Sequence, residues 1–234
     1  HGDLEGAEPL LREALKASRE TLGDTHRDTL VAMGNLGLLL QARGDLKGAE
    51  PLLREAVKAG RETLGNTHPE TLKVINNLGS LLDARGNLEG AEALFREALK
   101  AKRATLGDTH PSTLSSISNL GMLLKARGDP EGAEALLREA VKAGREALGN
   151  THPETLIFIN NLGLLLDDRG DLKGAEPLYR EALKASRETL GNTHPNTLQF
   201  ISNLRQLLKA RGDLKGAEPL YREALKASRE TLGD

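Results

Sequence analysis

The chain has no cysteine and no tryptophan, and its 234 residues include only three phenylalanines and two tyrosines. The lack of cysteine excludes a disulfide framework, thiolate zinc sites and a cysteine nucleophile. With aromatics at 2% and apolar residues at 38%, the core has to be built from Leu, Ala, Ile and Val. No apolar run reaches the ~18 residues of a membrane-spanning helix, and no charged-apolar-small start of a signal peptide is present. Charge of one sign is also missing: 32 Lys and Arg stand against 34 Asp and Glu, a net charge of −2. No basic surplus is left to neutralise phosphates or to hold the chain on an anionic membrane, so nucleic acid and lipid are not expected partners. The expectation is a soluble, cytoplasmic chain.

What is present is repetition. Gly44, Gly86, Gly128, Gly170 and Gly212 recur every 42 residues, each within an Ala-Arg-Gly or Asp-Arg-Gly step that is followed by Asp or Asn. Asp213 to Gly233 copies Asp171 to Gly191 letter for letter. A period of this size marks an array of one supersecondary unit whose core runs along its length, so length does not count its domains. The expected organisation is a single solenoid over 1–234: a half repeat at 1–24, then full repeats at about 25–66, 67–108, 109–150, 151–192 and 193–234. His1 occupies the phase held elsewhere by Arg43 and Arg85 and reads as the end of an expression tag. The start in mid-repeat, with Asp3 to Leu22 matching the second half of the unit, suggests a fragment of a longer array.

Each unit reads as two helices. In the second half, Leu46, Ala49, Leu52, Leu53, Ala56, Val57, Gly60 and Leu64 fall at helical spacing on one face. Arg54, Glu55, Lys58, Arg61 and Glu62 form a solvated stripe of mixed charge, and Gly65 is placed to end the helix in a left-handed conformation. Pro51, about one turn in, predicts a slight bend or a loose first turn. The first half begins at Thr67-His68-Pro69-Glu70, where Thr67 can cap the helix and Glu70 complete a capping box, with proline suited to the first turn. Leu72, Ile75, Leu78, Gly79 and Leu82 then line one face, and the helix ends near Gly86. At ~1.5 Å per residue the helices are roughly 20 and 30 Å long, and short turns force neighbours to pack antiparallel. Five pairs after one unpaired helix make eleven helices in an all-α fold.

Gly37, Gly79, Gly121 and Gly163 recur in mid-helix, where glycine costs ~1 kcal/mol relative to alanine. Such recurrence predicts a close approach of the partner helix through Ala49, Ala56 and their equivalents. Arg205 breaks the series, which predicts a last pair that is spread apart, or an arginine reaching outward along its stem.

Asn77-Leu78-Gly79, then Leu82, Gly86, Ala91, Phe95 and Ala98, resemble the tetratricopeptide repeat over the whole chain. Ile75 or Met33 and Leu82 stand at the family's large Trp and Tyr positions, and its closing proline is missing because the second helix runs on for about eight more residues. The longer unit, with Ala-Glu-Pro-Leu, Leu-Gly-Asn-Thr-His-Pro and Asn-Asn-Leu-Gly, is most similar to the arrays of kinesin light chains and related arrays attached to signalling ATPases. The resemblance implies a right-handed α-solenoid, a superhelix whose first helices line a concave groove that binds peptide segments.

Comparison of the copies singles out one stripe of the first helix. Val31, Lys73, Ser115, Ile157 and Gln199 all differ, and Leu38, Ser80, Met122, Leu164 and Gln206 nearly all do. Gly34, Asn76, Ser118, Asn160 and Ser202, and the set Gln41, Asp83, Lys125, Asp167 and Lys209, fall on the same side. The second helix keeps its charges, with Arg54-Glu55 recurring as Arg96-Glu97, Arg138-Glu139, Arg180-Glu181 and Arg222-Glu223. Divergence of one face alone marks the first-helix stripe as a recognition surface, against the alternative that the second-helix charges are retained for solubility.

One residue of the stripe never changes: Asn35, Asn77, Asn119, Asn161 and Asn203. An amide row can bond an extended peptide backbone, and in the resembling family Asn at this position contacts ligand; equally, each Asn could tie one repeat to the next. Charge on the stripe balances, with Lys73, Lys125 and Lys209 against Asp83, Asp167 and Asp168, and no basic clamp for a terminal carboxylate appears. Val31, Leu38, Met122, Ile157 and Leu164 offer apolar footholds for a neutral or mixed peptide.

His26, His68, His110, His152 and His194 stand one repeat apart, too far to share a metal ion, and read as first-turn residues beside a helix cap. No triad context, nucleophile elbow or phosphate loop is found, so neither enzyme activity nor a cofactor is expected. The expected function is a scaffold that binds a protein or peptide partner. Two others remain: a spacer or sensor arm of a larger signalling protein, and end-to-end self-association through exposed terminal helices.

Overall fold

In a computed structural model, residues 4–232 are described, with side chains described for residues 6–226; His1 lies outside this range. The described residues form eleven α-helices and no strand. The chain divides between Asp108 and Thr109, at a repeat junction, into two compact units. The first holds α1 (Leu4–Leu22), α2 (Arg27–Ala42), α3 (Leu46–Thr63), α4 (Pro69–Ala84) and α5 (Leu88–Leu106). The second holds α6 (Pro111–Arg127), α7 (Pro130–Ala147), α8 (Pro153–Asp168), α9 (Leu172–Thr189), α10 (Pro195–Ala210) and α11 (Leu214–Leu232). Within each unit consecutive helices pack as pairs, and first helices also meet their successors, α2 against α4 in one unit and α6, α8 and α10 in turn in the other. Each unit is thus a stretch of α-solenoid.

The local chemistry explains the helix ends. Asp45 caps α3 by accepting the Gly48 N–H at 2.9 Å, and Asn87, Asp129 and Asp171 repeat the arrangement. Between α2 and α3, Gly44 adopts φ +82° and lets the Asp45 N–H return to the Leu40 carbonyl, which closes the turn. First helices begin differently from the expectation. Thr67 is not the cap; His68 is, with its Nδ1 accepting the Glu70 N–H at 3.2 Å. A ring nitrogen two residues upstream reaches that amide directly, so no capping box forms.

The mid-helix glycines answer a real close approach of the partner helix, as expected, but chiefly to a side chain other than the alanines. A Cβ on Gly37 would lie 2.7 Å from Leu53, and one on Gly79, Gly121 or Gly163 would lie 2.6, 2.9 or 2.7 Å from Phe95, Leu137 or Tyr179. The crowding comes mainly from one large buried side chain of each second helix, joined at Gly121 by the backbone carbonyl of Ala133 at 3.4 Å. Each glycine opens a socket that buries this side chain to 2% exposure or less.

Candidate functional site

Each first helix is buried almost all round. On α4, Leu72, Val74, Ile75, Leu78, Leu81 and Leu82 are buried, which leaves one narrow stripe through Lys73, Asn77, Ser80 and Asp83 in contact with solvent. Lys73, Ile157 and Gln199 are exposed, as are Leu38 and Gln206, while Val31, Ser115, Ser80, Met122 and Leu164 are half-buried. Asn160 departs from this pattern. It is buried to 4% exposure, as are its equivalents Gly34 and Ser118, because this position turns toward the neighbouring first helix.

That neighbour relation supplies a partner for part of the asparagine row. Asn161 Nδ2 donates to Ser118 Oγ at 3.0 Å, and Asn203 Nδ2 donates to Asn160 Oδ1 at 2.7 Å. Within the second unit, then, two asparagines tie one first helix to the one before it. The sequence carried a signal for this: the residue preceding the invariant Asn is always small or an amide, and in the second unit it is Ser118, Asn160 and Ser202. Asn35 and Asn119 are exposed. Gln41 adds a link between first helices, donating from Nε2 to the Ser80 carbonyl at 3.3 Å.

Electrostatics on the stripe are close to neutral. Lys125 Nζ lies 2.6 Å from Asp168 Oδ2. Burial pushes the carboxyl of Asp83 above its ordinary range. Burial does the same to Asp167, helped by the charge of Asp168 beside it and opposed by Tyr179, whose hydroxyl is 3.5 Å away, and by Lys125. Both acids stand in the last turn of a first helix, where the helix dipole disfavours a negative charge.

The second-helix face has a different organisation. Arg19, Arg61, Arg145 and Arg187 pair with Glu55, Glu97, Glu181 and Glu223 of the next second helix, the first three at 2.7–2.8 Å. Glu50 receives both Arg54, at 2.7 Å on its own helix, and Arg85 at the end of α4; Glu8, Glu134 and Glu176 repeat this double pairing. The invariance of the Arg-Glu pairs therefore has a structural cause, whereas on the first-helix stripe only some positions, such as Gln41, Asn161 and Asn203, bond to a neighbouring helix. Divergence of one face alone no longer marks a recognition surface. On that stripe Leu38 and Ile157 are 39% and 36% exposed.

The histidines are structural. His26, His68, His110, His152 and His194 each cap a first helix, Nδ1 accepting a backbone N–H at 3.1–3.2 Å. Two features were not foreseen. Lys102 of α5 is 8% exposed, and burial lowers its ammonium pKa to about 8. Arg205 meets the ring of Tyr221 with its guanidinium carbon 4.4 Å from the centroid. Tyr221 is 43% exposed, whereas Tyr179, in the letter-identical copy, is fully buried. The last pair is thus opened around Arg205, as the broken glycine series predicted. No described helix is long and apolar enough to cross a membrane.

Comparison with known proteins agrees with this architecture. The family profile described as tetratricopeptide repeat matches residues 2–62, 35–104, 84–146, 112–188 and 154–230. No curated protein sequence matches the chain. Among solved structures, BtubC (BKLC) from P. vanneervenii superposes with a TM-score of 0.76 at 22% identity, over 100% of this chain and 94% of that one. A Podosopora anserina putative kinesin light chain with nearly identical TPR-like repeats superposes with a TM-score of 0.70 at 25% identity, over 89% of this chain and 99% of that one. A point variant of that same protein gives 0.72 at the same identity and coverage. Profile matches along nearly the whole length, on helix pairs whose glycine sockets and capped turns repeat with the same period, make this chain a member of the tetratricopeptide repeat family, with repeats of the kinesin light chain-like kind.

Proposed function

We propose that the chain is a protein-interaction scaffold that binds an extended peptide segment of a partner along the face formed by its first helices. The observation that carries this reading is the exposed apolar surface of Leu38 and Ile157, with Val31, Met122 and Leu164 half-exposed beside the asparagine row. Apolar side chains in contact with water are a cost that a covering ligand removes, at ~25 cal/mol per Å². On the second helices between the first and the last, paired arginines and glutamates occupy much of the exposed surface, and the larger exposed apolar side chains, Leu10, Leu214 and Leu225, belong to α1 and α11. Near-neutral charge on the stripe fits a neutral or mixed peptide with a few apolar anchors.

The test is a random peptide library panned against the chain, against Leu38→Lys and Ile157→Lys variants, and against a Lys142→Glu control on a second helix. Peptides with apolar anchors that are lost on either lysine variant and kept by the control are the expected result. Enrichment only of strongly acidic peptides, with tight and salt-sensitive binding, would overturn it. Leu10, Leu214 and Leu225, exposed at 67%, 66% and 55% on α1 and α11, favour a second reading, self-association through these helices. Sedimentation velocity over a concentration series decides that one, a constant sedimentation coefficient being the negative result.

A further inference from the structure

Within each unit first helices pack against their successors, whereas successive second helices are joined by ion pairs at their surface, and a trough remains between them. The trough between α3 and α5 has a volume of about 450 Å³. Leu78 and Leu82 of α4 form its floor, Leu94 of α5 one wall, and Arg54, Lys58 and Arg61 of α3 the other. That wall follows from sequence spacing, since residues four and then three apart fall on one side of a helix. The same parts recur: Lys16 with Leu36 between α1 and α3, Lys142 with Leu162 between α7 and α9, and Lys184 with Leu204 between α9 and α11, in troughs of about 390, 420 and 400 Å³.

The bases of this wall have donors to spare. Arg54 gives Nε to Glu50 and Arg61 gives Nη2 to Glu97, which leaves each guanidinium further N–H groups. Lys58, Lys142 and Lys184 are exposed and make no ion pair among the described residues, while Lys16 stands 3.8 Å from Glu20. Against the three bases of the α3 wall the lining holds one acid, Glu62. Arg-Glu pairing accounts for the recurrence of Arg54 and Arg61 but not of the lysine, which recurs as Lys16, Lys58, Lys100, Lys142, Lys184 and Lys226 while exposed first-helix positions diverge. We propose that these troughs seat an amphipathic α-helix of a partner protein, its apolar edge on the leucines and its acidic edge on the Arg-Lys-Arg row. Arg54, Lys58 and Arg61 are all exposed, so the trough is open along one side and does not enclose a drug-sized molecule, as sites for such ligands do; an elongated occupant fits it. The row spans ~10 Å, two helical turns, which matches carboxylates one turn apart along one edge of the occupant. The surface belongs to the second helices and shares no residue with the first-helix stripe.

The probe is a displayed library of helical peptides ~27 Å long, with leucine fixed at heptad a and d positions and the other positions randomised. The strongest helix from panning of the intact chain is titrated by calorimetry against Lys58→Glu, Lys142→Glu, Lys184→Glu, the triple variant, Leu38→Lys and Ile157→Lys, with Tm recorded for each. The expected helix carries Asp or Glu along the edge beside its leucines. Each single lysine reversal removes one bound helix per chain and the triple variant removes all three, with Tm unchanged because no described bond is lost. A copy of the helix with its acidic edge changed to lysine regains those sites on the triple variant and loses them on the intact chain, which a merely solubilising lysine would not produce. Should the triple variant not fold, the single variants carry the same test. Failure to enrich any helix, enrichment of helices without an acidic edge, or a stoichiometry unmoved by the lysine reversals overturns the inference. Loss of the helix on Leu38→Lys or Ile157→Lys alone also overturns it, and assigns that ligand to the first helices.

Discussion

Arg205 on α10 lies over the ring of Tyr221 on α11, 4.4 Å from its centroid, in the place where Gly163 on α8 receives Tyr179 edge-on at a distance no Cβ could share. The two tyrosines belong to segments of identical sequence, yet one is fully buried and the other 43% exposed. On the facing helix Arg205 stands where α8 has Gly163, and α9 is also covered by α10 whereas no described helix follows α11. The cation–ring contact recovers ~0.5–1 kcal/mol, but the socket itself is lost.

Arg205→Gly should restore the socket. With no tryptophan in the chain, tyrosine emission reports on Tyr179 and Tyr221 alone. Acrylamide quenching of that emission is expected to fall in the variant as Tyr221 becomes buried. Unchanged quenching would show that α11 is held open by something other than Arg205.

Asn161→Ala and Asn119→Ala should separate by the bond only one of them makes. Asn161 donates to Ser118 at 3.0 Å, so its removal is expected to lower stability by about 1 kcal/mol. Asn119 is exposed, and its removal should change stability by less than about 0.5 kcal/mol. Urea titration of each variant measures the difference.

Lys102 should make stability depend on pH in the alkaline range. In the folded chain burial lowers its pKa to about 8, while the unfolded chain titrates at the ordinary 10.5. Below about pH 8 both states hold the proton and the penalty is fully present. Between about 8 and 10.5 the unfolded state binds more protons than the folded one, so stability rises with pH and then levels. Lys102→Met, which keeps the apolar stem, is expected to stabilise the chain at pH 7 by roughly 1–3 kcal/mol and to remove that rise. Thermal melts at pH 7, 9 and 10.5 provide the check.

Glu50→Gln should weaken the second-helix side in a salt-dependent manner. The carboxylate serves both Arg54 and Arg85, and its side chain is 17% exposed. Loss of both pairings is expected to lower stability by about 0.5–1.5 kcal/mol in dilute buffer and by much less in 1 M salt, where exposed charges are screened within ~3 Å. An equal loss in both buffers would assign the effect to packing.

The array and its helix pairs were legible in the sequence because both rest on local rules. A 42-residue period, apolar residues at helical spacing and glycine just past each helix end follow from backbone geometry within one unit, and the observed helices match them closely. The divergent stripe could be located for the same reason, since a helix presents residues three and four apart on one side. Its apparent meaning could not be read there. Second-helix charges stay constant because Arg19 and Glu55, or Arg85 and Glu50, meet across repeats, and such meetings exist only once the chain has folded.

Identity of the fold, then, was settled by letters repeated at a fixed spacing, each copy burying its apolar side against the next. Tertiary packing decided what identical letters do in different places. It turned His68 from a neighbour of the cap into the cap, assigned Leu53, Phe95, Leu137 and Tyr179 to the glycine sockets, and tied Asn161 while leaving Asn77 untied. The physical reason is the same in each case: a hydrogen bond or a van der Waals contact depends on what stands opposite, and the residue opposite is set by how the chain folds back on itself.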